Sequence, residues 1–173
     1  RLERWFQNLD DGLGPVYGRR FGVATDHPLA SMAALDVLVK SGKVRYLGAS
    51  NYPAWLLMKS MWISDTNGYA RFDCIQPHYS LLNRDEYERE LRLACIDQGI
   101  GVIPYSPLAA GFLTGKYERQ NRQADSARGE SGLIKRLLAD ERAFDVVDVV
   151  RGIAADHDAP LAHVTLAWQL AQP

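Results

Sequence analysis

The sequence is short of cysteine, of long apolar runs and of net charge, and each shortage excludes a class of protein. Its 2 cysteines, Cys74 and Cys95, lack the CxxC spacing of a metal or redox site, which predicts free thiols and a reducing, cytoplasmic location. No apolar run approaches the roughly 18 residues of a membrane span, and a formal net charge of -1 offers no basic surface for nucleic acid. We therefore expect neither a membrane nor a nucleic-acid partner.

What remains is the composition of an ordinary globular domain. The 173 residues are 47% hydrophobic and 24% charged, and no internal repeat or low-complexity tract divides them. We interpret residues 1–173 as a single domain. The chain begins without methionine and ends directly after an apolar helical pattern, so we expect it to be a fragment of a longer protein.

From Pro28 onward, helical periodicity alternates with short apolar runs, which is typical of parallel strands joined by helices. Three strands are predicted, over residues 44–49, 72–76 and 101–105. Helices are predicted over about residues 32–42, 53–65, 83–98, 133–156 and 160–171. Asn83 is the predicted N-cap of the third helix, and Gly152 is a predicted break in the fourth.

This pattern contains about three to four βα units, plus two late helices that follow a polar surface loop over residues 116–132. A complete (β/α)8 barrel needs about 250 residues and is therefore excluded. The fold class is α/β, and either a doubly wound sheet or an incomplete barrel accommodates the pattern.

Polar side chains follow all three predicted strands where the strands end. Ser50 and Asn51 follow the first strand, Gln76 ends the second and Tyr105 ends the third. Because parallel strands share one carboxyl edge, these groups can converge on a single flat, amide-bearing ring. Alternatively, Ser50 and Asn51 cap the next helix and Gln76 satisfies a loop. Three such ends in succession favour a binding site.

Residues 106–116 form a second candidate site directly after the third strand. The segment combines glycines, hydroxyl groups and a terminal lysine, Lys116, and such loops bind phosphate or pyrophosphate through exposed backbone amides. The histidines carry less information. We interpret His78 as part of a solvated loop and His157 and His163 as structural, while His27 lies in the loop leading to the first helix.

Three segments resemble the aldo-keto reductase family in order and spacing, and the similarity extends over about residues 28–173. They are Gly-Lys-Val-Arg-Tyr-Leu-Gly-Ala-Ser-Asn from Gly42, Ile-Gln-Pro-His-Tyr-Ser-Leu-Leu-Asn-Arg from Ile75, and Tyr-Ser-Pro-Leu-Ala-Ala-Gly-Phe-Leu-Thr-Gly-Lys-Tyr from Tyr105. The resemblance implies an NADP-dependent oxidoreductase of aldehydes and ketones. It also implies that the fold is an incomplete TIM barrel.

The resemblance further implies how the candidate residues act. Ser50, Asn51 and Gln76 would hold the nicotinamide carboxamide, and the ring of Tyr105 would stack on the nicotinamide. The segment that would wrap the pyrophosphate and adjoining ribose supplies Ser106, Pro107, Leu108, Gly111, Leu113 and Lys116. Arg128, in the polar loop, is a weaker candidate for a contact with a cofactor phosphate.

The family's catalytic residues are not predicted in this chain. The resemblance implies an Asp, Tyr, Lys and His set, and the segments of the first three would lie before Arg1. The histidine would fall between Gly14 and Asp26, where Ala24 stands instead. Residues 1–27 thus diverge from the family pattern, and a reading-frame slip over about residues 5–25 is one hypothesis. The segment expected to hold the adenosine 2′-phosphate would follow Pro173.

Three functions remain open at this level. The leading interpretation is a fragment of an NADPH-dependent aldo-keto reductase that acts on a small carbonyl substrate and is inactive by itself. A second is a non-catalytic, NADP-binding regulatory protein, because potassium-channel β subunits share the family's fold. A third is the inert product of an incomplete gene, whose unpaired sheet edges would favour aggregation. No protein partner and no metal site is predicted.

Overall fold

A computed structural model describes residues 27–120 and 131–172. Within them, three parallel strands form one sheet in the order β1-β2-β3. The strands are β1 Gly48–Ser50, β2 Cys74–Gln76 and β3 Gly101–Val102. The predicted parallel sheet is thereby confirmed, although each strand is shorter than its apolar run.

Six α-helices lie in the described part of the chain, some packed on the sheet and the later ones beyond it. They are α1 Pro28–Lys40, α2 Ala54–Asn67, α3 Arg92–Gln98, α4 Gly132–Ala139, α5 Glu141–Asp156 and α6 Leu161–Leu170. A π-helical turn, Tyr87–Leu91, leads into α3, and a short 3-10 helix, Ala109–Thr114, follows β3. None of the described helices is long and apolar enough to cross a membrane.

The backbone groups next to the strands make hydrogen bonds of two kinds, within the preceding helix end and across the sheet. The N–H groups of Lys43 and Val44 both donate to the carbonyl of Leu38, at 3.1 and 3.3 Å, and so close the end of α1. After β3, the N–H groups of Ile103 and Tyr105 still donate to the carbonyls of Ile75 and Pro77, at 2.9 and 3.0 Å, so hydrogen bonds to the chain of β2 continue past the last residue of the strand. An apolar run in the sequence therefore predicts which residues are buried better than it predicts which residues pair in a strand.

Glycine ends two of the helices. Gly68 after α2 and Gly99 after α3 both have a left-handed φ of 66°, and the N–H of each donates back to the last turn of its helix. A residue with a Cβ adopts this conformation only at a cost, so these positions stop the helices and turn the chain toward the next strand.

The predicted helix over residues 133–156 is two helices, and the predicted break at Gly152 is wrong. The break lies at Asp140, whose backbone is extended and whose carboxylate accepts a hydrogen bond of 3.0 Å from the N–H of Arg142. Asp140 thus caps α5, while Gly152 lies inside that helix. An N-cap contributes about 1 kcal/mol, which is about what one helical glycine costs.

Asn83 also differs from its prediction as an N-cap. It forms an antiparallel bridge with Ser80, and its side-chain amide donates to the carbonyl of His78 at 3.1 Å. The helix therefore starts beyond Asn83 and passes through the π-helical turn before α3. An asparagine side chain can bond to backbone groups in a turn as readily as at the start of a helix. The sequence alone therefore does not distinguish these two roles for Asn83.

Two hydrophobic clusters hold the described residues together. The first lies between the sheet and helices α1 to α3, around the fully buried Leu57 and Ile75. The second lies beneath the 3-10 helix, where Phe112 packs against Phe144 at a ring distance of 5.1 Å. On the opposite side, Ile103, directly after β3, is 54% exposed. Within the described residues, helices therefore cover only one face of the three strands.

Candidate functional site

The ends of β1 and β2 bring three predicted site residues together. Ser50 and Gln76 are paired in register, and the Ser50 hydroxyl donates to the Gln76 carbonyl at 3.3 Å. The backbone N–H of Asn51 donates to the same carbonyl at 3.1 Å, and its side-chain amide donates to the Ser50 hydroxyl oxygen at 3.0 Å. All three side chains are exposed at the carboxyl edge.

The alternative that Ser50 and Asn51 cap the following helix is wrong. The residue at the N-cap of α2 is Pro53, and no side chain caps that helix. Asn51 instead has a left-handed φ of 55°, a conformation that asparagine tolerates better than most residues. Within the described residues, the side-chain carboxamide of Gln76 makes no hydrogen bond. Its donor and acceptor therefore remain available to a ligand.

Tyr105 lies at the same edge, one strand further along the sheet. It forms a parallel bridge with His78, and its N–H donates to the carbonyl of Pro77 at 3.0 Å. The rings of Tyr105 and His78 are stacked, with centroids 5.0 Å apart and an angle of 12° between their planes. The Tyr105 residue is still 38% exposed. The ring can therefore receive a second flat group.

His78 is the site residue that the sequence interpretation missed. It is half-buried against Tyr105 and is not a freely solvated loop side chain. Strand periodicity could have identified it, because His78 stands two positions after Gln76 and so continues the same side of the strand. The other three described histidines, His27, His157 and His163, are exposed.

The loop after Tyr105 has an unusual backbone. Left-handed φ angles occur at Ser106 (54°), Ala109 (49°), Ala110 (55°) and Gly111 (94°), so three consecutive residues turn in this sense. Such angles cost of order 1–3 kcal/mol at a residue other than glycine, and they cluster at ligand-binding sites. The N–H groups of Ala109 and Gly111 donate to the backbone carbonyls of Ser106 and Leu108, both at 2.9 Å, so the turn is closed by its own hydrogen bonds.

Lys116 returns its side chain to this turn. A Cβ built on Gly111 would lie 2.9 Å from the Lys116 Nζ, so the ammonium group sits directly against the glycine backbone. The same ammonium lies 5.1 Å from the ring centroid of Tyr117. A positive charge therefore stands next to the left-handed turn, as a site for phosphate requires.

The other predicted loop residues divide into two groups. Ser106, Pro107 and Leu108 are half-buried along the loop. Leu113 is fully buried in the second hydrophobic cluster, so its side chain packs the core and only its backbone is placed to meet a ligand. Arg128 lies outside the described residues, as do residues 1–26 of the divergent segment 1–27. No group of three or more His, Cys, Asp or Glu residues within the described ranges is arranged to hold a metal ion.

Comparison with known proteins places these features in a family. The model of the Aldo/keto reductase family matches residues 3–173. The chain belongs to the aldo-keto reductase family. This aldo-keto reductase chain is 38% identical over 143 residues to an aldo-keto reductase of Fusarium vanettenii, covering 82% of the chain and 38% of the relative. It is 32% identical over 142 residues to the versiconal hemiacetal acetate reductase of Aspergillus parasiticus, with coverages of 82% and 41%.

A solved structure shows the fold. The glycerol dehydrogenase of Gluconobacter oxydans matches with a TM-score of 0.67 and 24% identity, over 86% of this chain and 43% of that one. The three-stranded parallel sheet is therefore part of a TIM barrel, and the predicted incomplete barrel is confirmed over the doubly wound alternative. The chain spans about two fifths of the length of the relatives it matches, at 38% and 41%.

Proposed function

We propose that this chain binds the nicotinamide end of NADP at the carboxyl edge of its three strands, and that the site serves hydride transfer to a small aldehyde or ketone. The observation that carries the proposal is the register of Ser50 with Gln76 beside the exposed ring of Tyr105. A hydroxyl, two carboxamides and an aromatic ring thereby share one edge. This donor set matches a flat ring that bears an amide.

The chemistry of each group fits such a cofactor. The Gln76 and Asn51 side chains each offer a donor and an acceptor, which pair with the nicotinamide carboxamide together with the Ser50 hydroxyl. Tyr105 offers its open ring face for stacking. Lys116 and the left-handed turn at Gly111 suit the pyrophosphate. Bound NADPH would supply the hydride, and the residues of this edge would bind and orient its ring.

The finer parts of the proposal rest on the family resemblance. NADP rather than NAD, and a small carbonyl as the substrate, follow from the matched segments and from no charge or pocket among the described residues. The free thiols of Cys74 and Cys95 support a cytoplasmic location. The proposal includes no nucleic-acid, membrane or protein partner.

We assign proton transfer to none of the described residues, because the edge residues are suited to binding the ring and not to protonating a carbonyl. The 173 residues should therefore bind NADP and turn over little aldehyde. A steady-state assay with NADPH and simple aldehydes tests this point, and robust turnover would contradict it. We expect the protein to bind NADPH but to show little or no reduction of aldehyde.

A titration of the purified protein with NADPH, followed by nicotinamide fluorescence, tests cofactor binding. The informative variant is Gln76→Met, which keeps the length of the side chain and removes the carboxamide. We expect its affinity for NADPH to fall about tenfold, since one well-placed pair of hydrogen bonds is removed. NADH in the same titration should bind more weakly than NADPH.

Gln98→Met is the matched control. Gln98 ends α3 and bonds to Arg71 at 2.6 Å, away from the Ser50–Gln76 pair. This variant removes the same carboxamide without changing the site, so its affinity should equal that of the unmodified protein. The proposal fails if the unmodified protein does not bind NADPH saturably, or if Gln76→Met binds as tightly as Gln98→Met.

A further inference from the structure

We propose that His78 is the positioning residue of Tyr105 and determines which face of the Tyr105 ring accepts the ligand. The imidazole covers one face of that ring, at 5.0 Å and 12°, so a flat ligand can stack only on the other. This inference rests on the proposed function, because it assigns the open face to the nicotinamide ring. It extends that function to a residue outside the predicted cofactor-binding set.

The Tyr105 ring needs such a support because little else holds it. Within the described residues, its hydroxyl group makes no hydrogen bond and His78 provides its one stacked ring contact. Its residue is 38% exposed at the end of a strand. A ring in this position can change rotamer unless a neighbour restricts it. The stacked imidazole supplies that restriction.

His78 is in turn held through its backbone. It pairs with Tyr105 in a parallel bridge, so the two Cα atoms are fixed opposite each other. Its carbonyl accepts a hydrogen bond of 3.1 Å from the side-chain amide of Asn83. The imidazole nitrogens have no partner among the described residues. The ring therefore acts through its flat face, and a phenyl ring should replace it.

The next residue, Tyr79, anchors this backbone deep in the protein. Its hydroxyl donates to the Glu88 carboxylate at 2.7 Å, and its carbonyl accepts from the Gln169 side chain of α6 at 3.2 Å. Its ring lies 4.7 Å from that of Tyr87 and 5.4 Å from that of Trp168. Tyr79 is 2% exposed. His78 thus extends from a rigid point, which a positioning residue requires.

A cavity of about 340 Å³ adjoins His78, with Ser80, Ala109 and Arg136 among its other lining residues. Tyr105 does not line it, whereas His78 contacts both this space and the Tyr105 ring. Removing the imidazole would leave empty volume against that face of the ring. Tyr105 would then gain room to tilt away from the ligand.

Binding of two probes to the purified protein separates positioning from general damage. NADPH contains the nicotinamide ring, whereas 2′-phospho-ADP-ribose has the same phosphates and adenosine without it. For His78→Ala we expect affinity for NADPH to fall about fivefold, the size of one aromatic stack, with no change for 2′-phospho-ADP-ribose. His78→Phe should restore NADPH affinity to within about twofold, because it restores the stack.

His163→Ala is the control, because His163 is exposed on α6 and lies outside the cluster. It should bind both probes as the unmodified protein does. The inference is overturned if His78→Ala binds NADPH normally, if it weakens both probes equally, or if a folded His78→Phe binds as poorly as His78→Ala.

The proton NMR shifts of the Tyr105 ring, assigned with Tyr105→Phe, separate this inference from the proposed function. They should move in His78→Ala and return toward their original values in His78→Phe, with no cofactor present. If NADPH does not bind but the shifts behave in this way, the proposed function fails and the support of Tyr105 by His78 stands. If the shifts do not change in His78→Ala, the inference itself is wrong.

Discussion

The ammonium of Lys116 occupies the space in which a side chain at Gly111 would begin. The Nζ and Cε atoms of Lys116 lie 2.9 and 3.0 Å from the position of a Cβ on Gly111. Gly111 also has a φ of 94°, which disfavours any other residue. Because Gly111 has no side chain, the backbone can adopt this turn and the Lys116 ammonium can lie beside it.

The variant Gly111→Ala should therefore move Lys116. The clashing atoms are the far end of a flexible side chain, so the lysine will shift more readily than the loop. We expect weaker NADPH binding together with a stability loss of about 1–2 kcal/mol from the backbone strain. Fluorescence titration and urea denaturation measure the two effects.

Gly42→Ala is the matched control for this variant. Gly42 has a φ of 71° and no atom within 4 Å of its built Cβ, so alanine there incurs backbone strain without a steric clash. It should lose comparable stability and keep full NADPH affinity. Equal affinities for the two alanine variants would show that Gly111 does not place Lys116.

Arg119 connects the chain after Lys116 to helix α5. Its guanidinium contacts the carboxylates of Glu141 (2.6 Å), Asp145 (2.5 Å) and Asp148 (3.1 Å) and lies 5.5 Å from the ring centroid of Phe144. We expect Arg119→Gln to lower the thermal unfolding midpoint. The loss should be larger at about 0.05 M than at about 1 M NaCl, because salt screens exposed charges.

Two further variants test whether the effect of Arg119→Gln is electrostatic. The midpoint of Arg119→Lys should lie between those of Arg119→Gln and the unmodified protein, because an ammonium group cannot bond to several carboxylates with the geometry of a guanidinium. Arg71→Gln, which removes an exposed arginine paired with Asp65 at 2.8 Å, should have a smaller effect. A loss for Arg119→Gln that does not depend on salt would contradict the electrostatic explanation.

Asp36 makes the stability of the chain sensitive to acid. Burial raises the pKa of its carboxyl, but the hydrogen bonds from Lys40 (2.7 Å) and from the N–H of Ala70 (2.9 Å), together with the Lys40 charge, outweigh burial and lower the pKa below its ordinary value. A lowered pKa in the folded state stabilises the protein above the unfolded pKa of about 3.9. That contribution disappears as the pH falls through the folded pKa.

The variant Asp36→Asn should therefore lower the free energy of unfolding by roughly 1–2 kcal/mol near pH 7. The difference from the unmodified protein should shrink as the pH falls below about 4 and through the lowered folded pKa, because the unmodified carboxyl also becomes neutral there. Asp65→Asn, at an exposed ion pair with Arg71, is the control and should cost less than about 0.5 kcal/mol. Urea denaturation across this pH range is the measurement, and a pH-independent deficit for Asp36→Asn would count against it.

The two cysteines should differ in reactivity. Cys95 is 2% exposed and its burial raises the pKa of its thiol, whereas Cys74 is only half-buried at the start of β2. A small alkylating reagent should modify Cys74 in the folded protein and Cys95 only after unfolding, because the exposed thiolate is the reactive form. Mass spectrometry of timed samples measures this order. Cys74→Ser should remove the fast phase, and simultaneous modification of both thiols would refute the prediction.

The sequence predicted the elements whose cause is local. Helix α2 ends at Gly68 and α3 at Gly99 because glycine alone adopts the left-handed cap without strain. The groups that follow the strands were predictable too, since parallel strands share a carboxyl edge. Ser50 and Gln76 therefore meet as expected.

The sequence did not predict features in which a side chain has several possible bonding or packing partners. Asp140 caps a second helix where the sequence indicated one, and Asn83 bonds to Ser80 and His78 when a helix start was expected. The side chain of Leu113 lies in the core, although its segment was predicted to contact the cofactor. For Asp140 and Asn83, several local hydrogen bonds are similar in free energy, and the surrounding structure decides among them. For Leu113, burial of the apolar side chain decides its position.

The sequence by itself determined the order of strands and helices, the residues at the strand ends and the loop that leads to Lys116, because each follows from periodicity, capping or backbone chemistry. Only the tertiary structure decided that His78 stacks on Tyr105, that Lys116 lies against Gly111 and that, among the described residues, one face of the sheet stays open. His78 and Tyr105 lie far apart in the sequence, and Lys116 meets the nearby Gly111 only because the turn between them folds back. These relationships arise when the strands align in register and side chains compete for the same space.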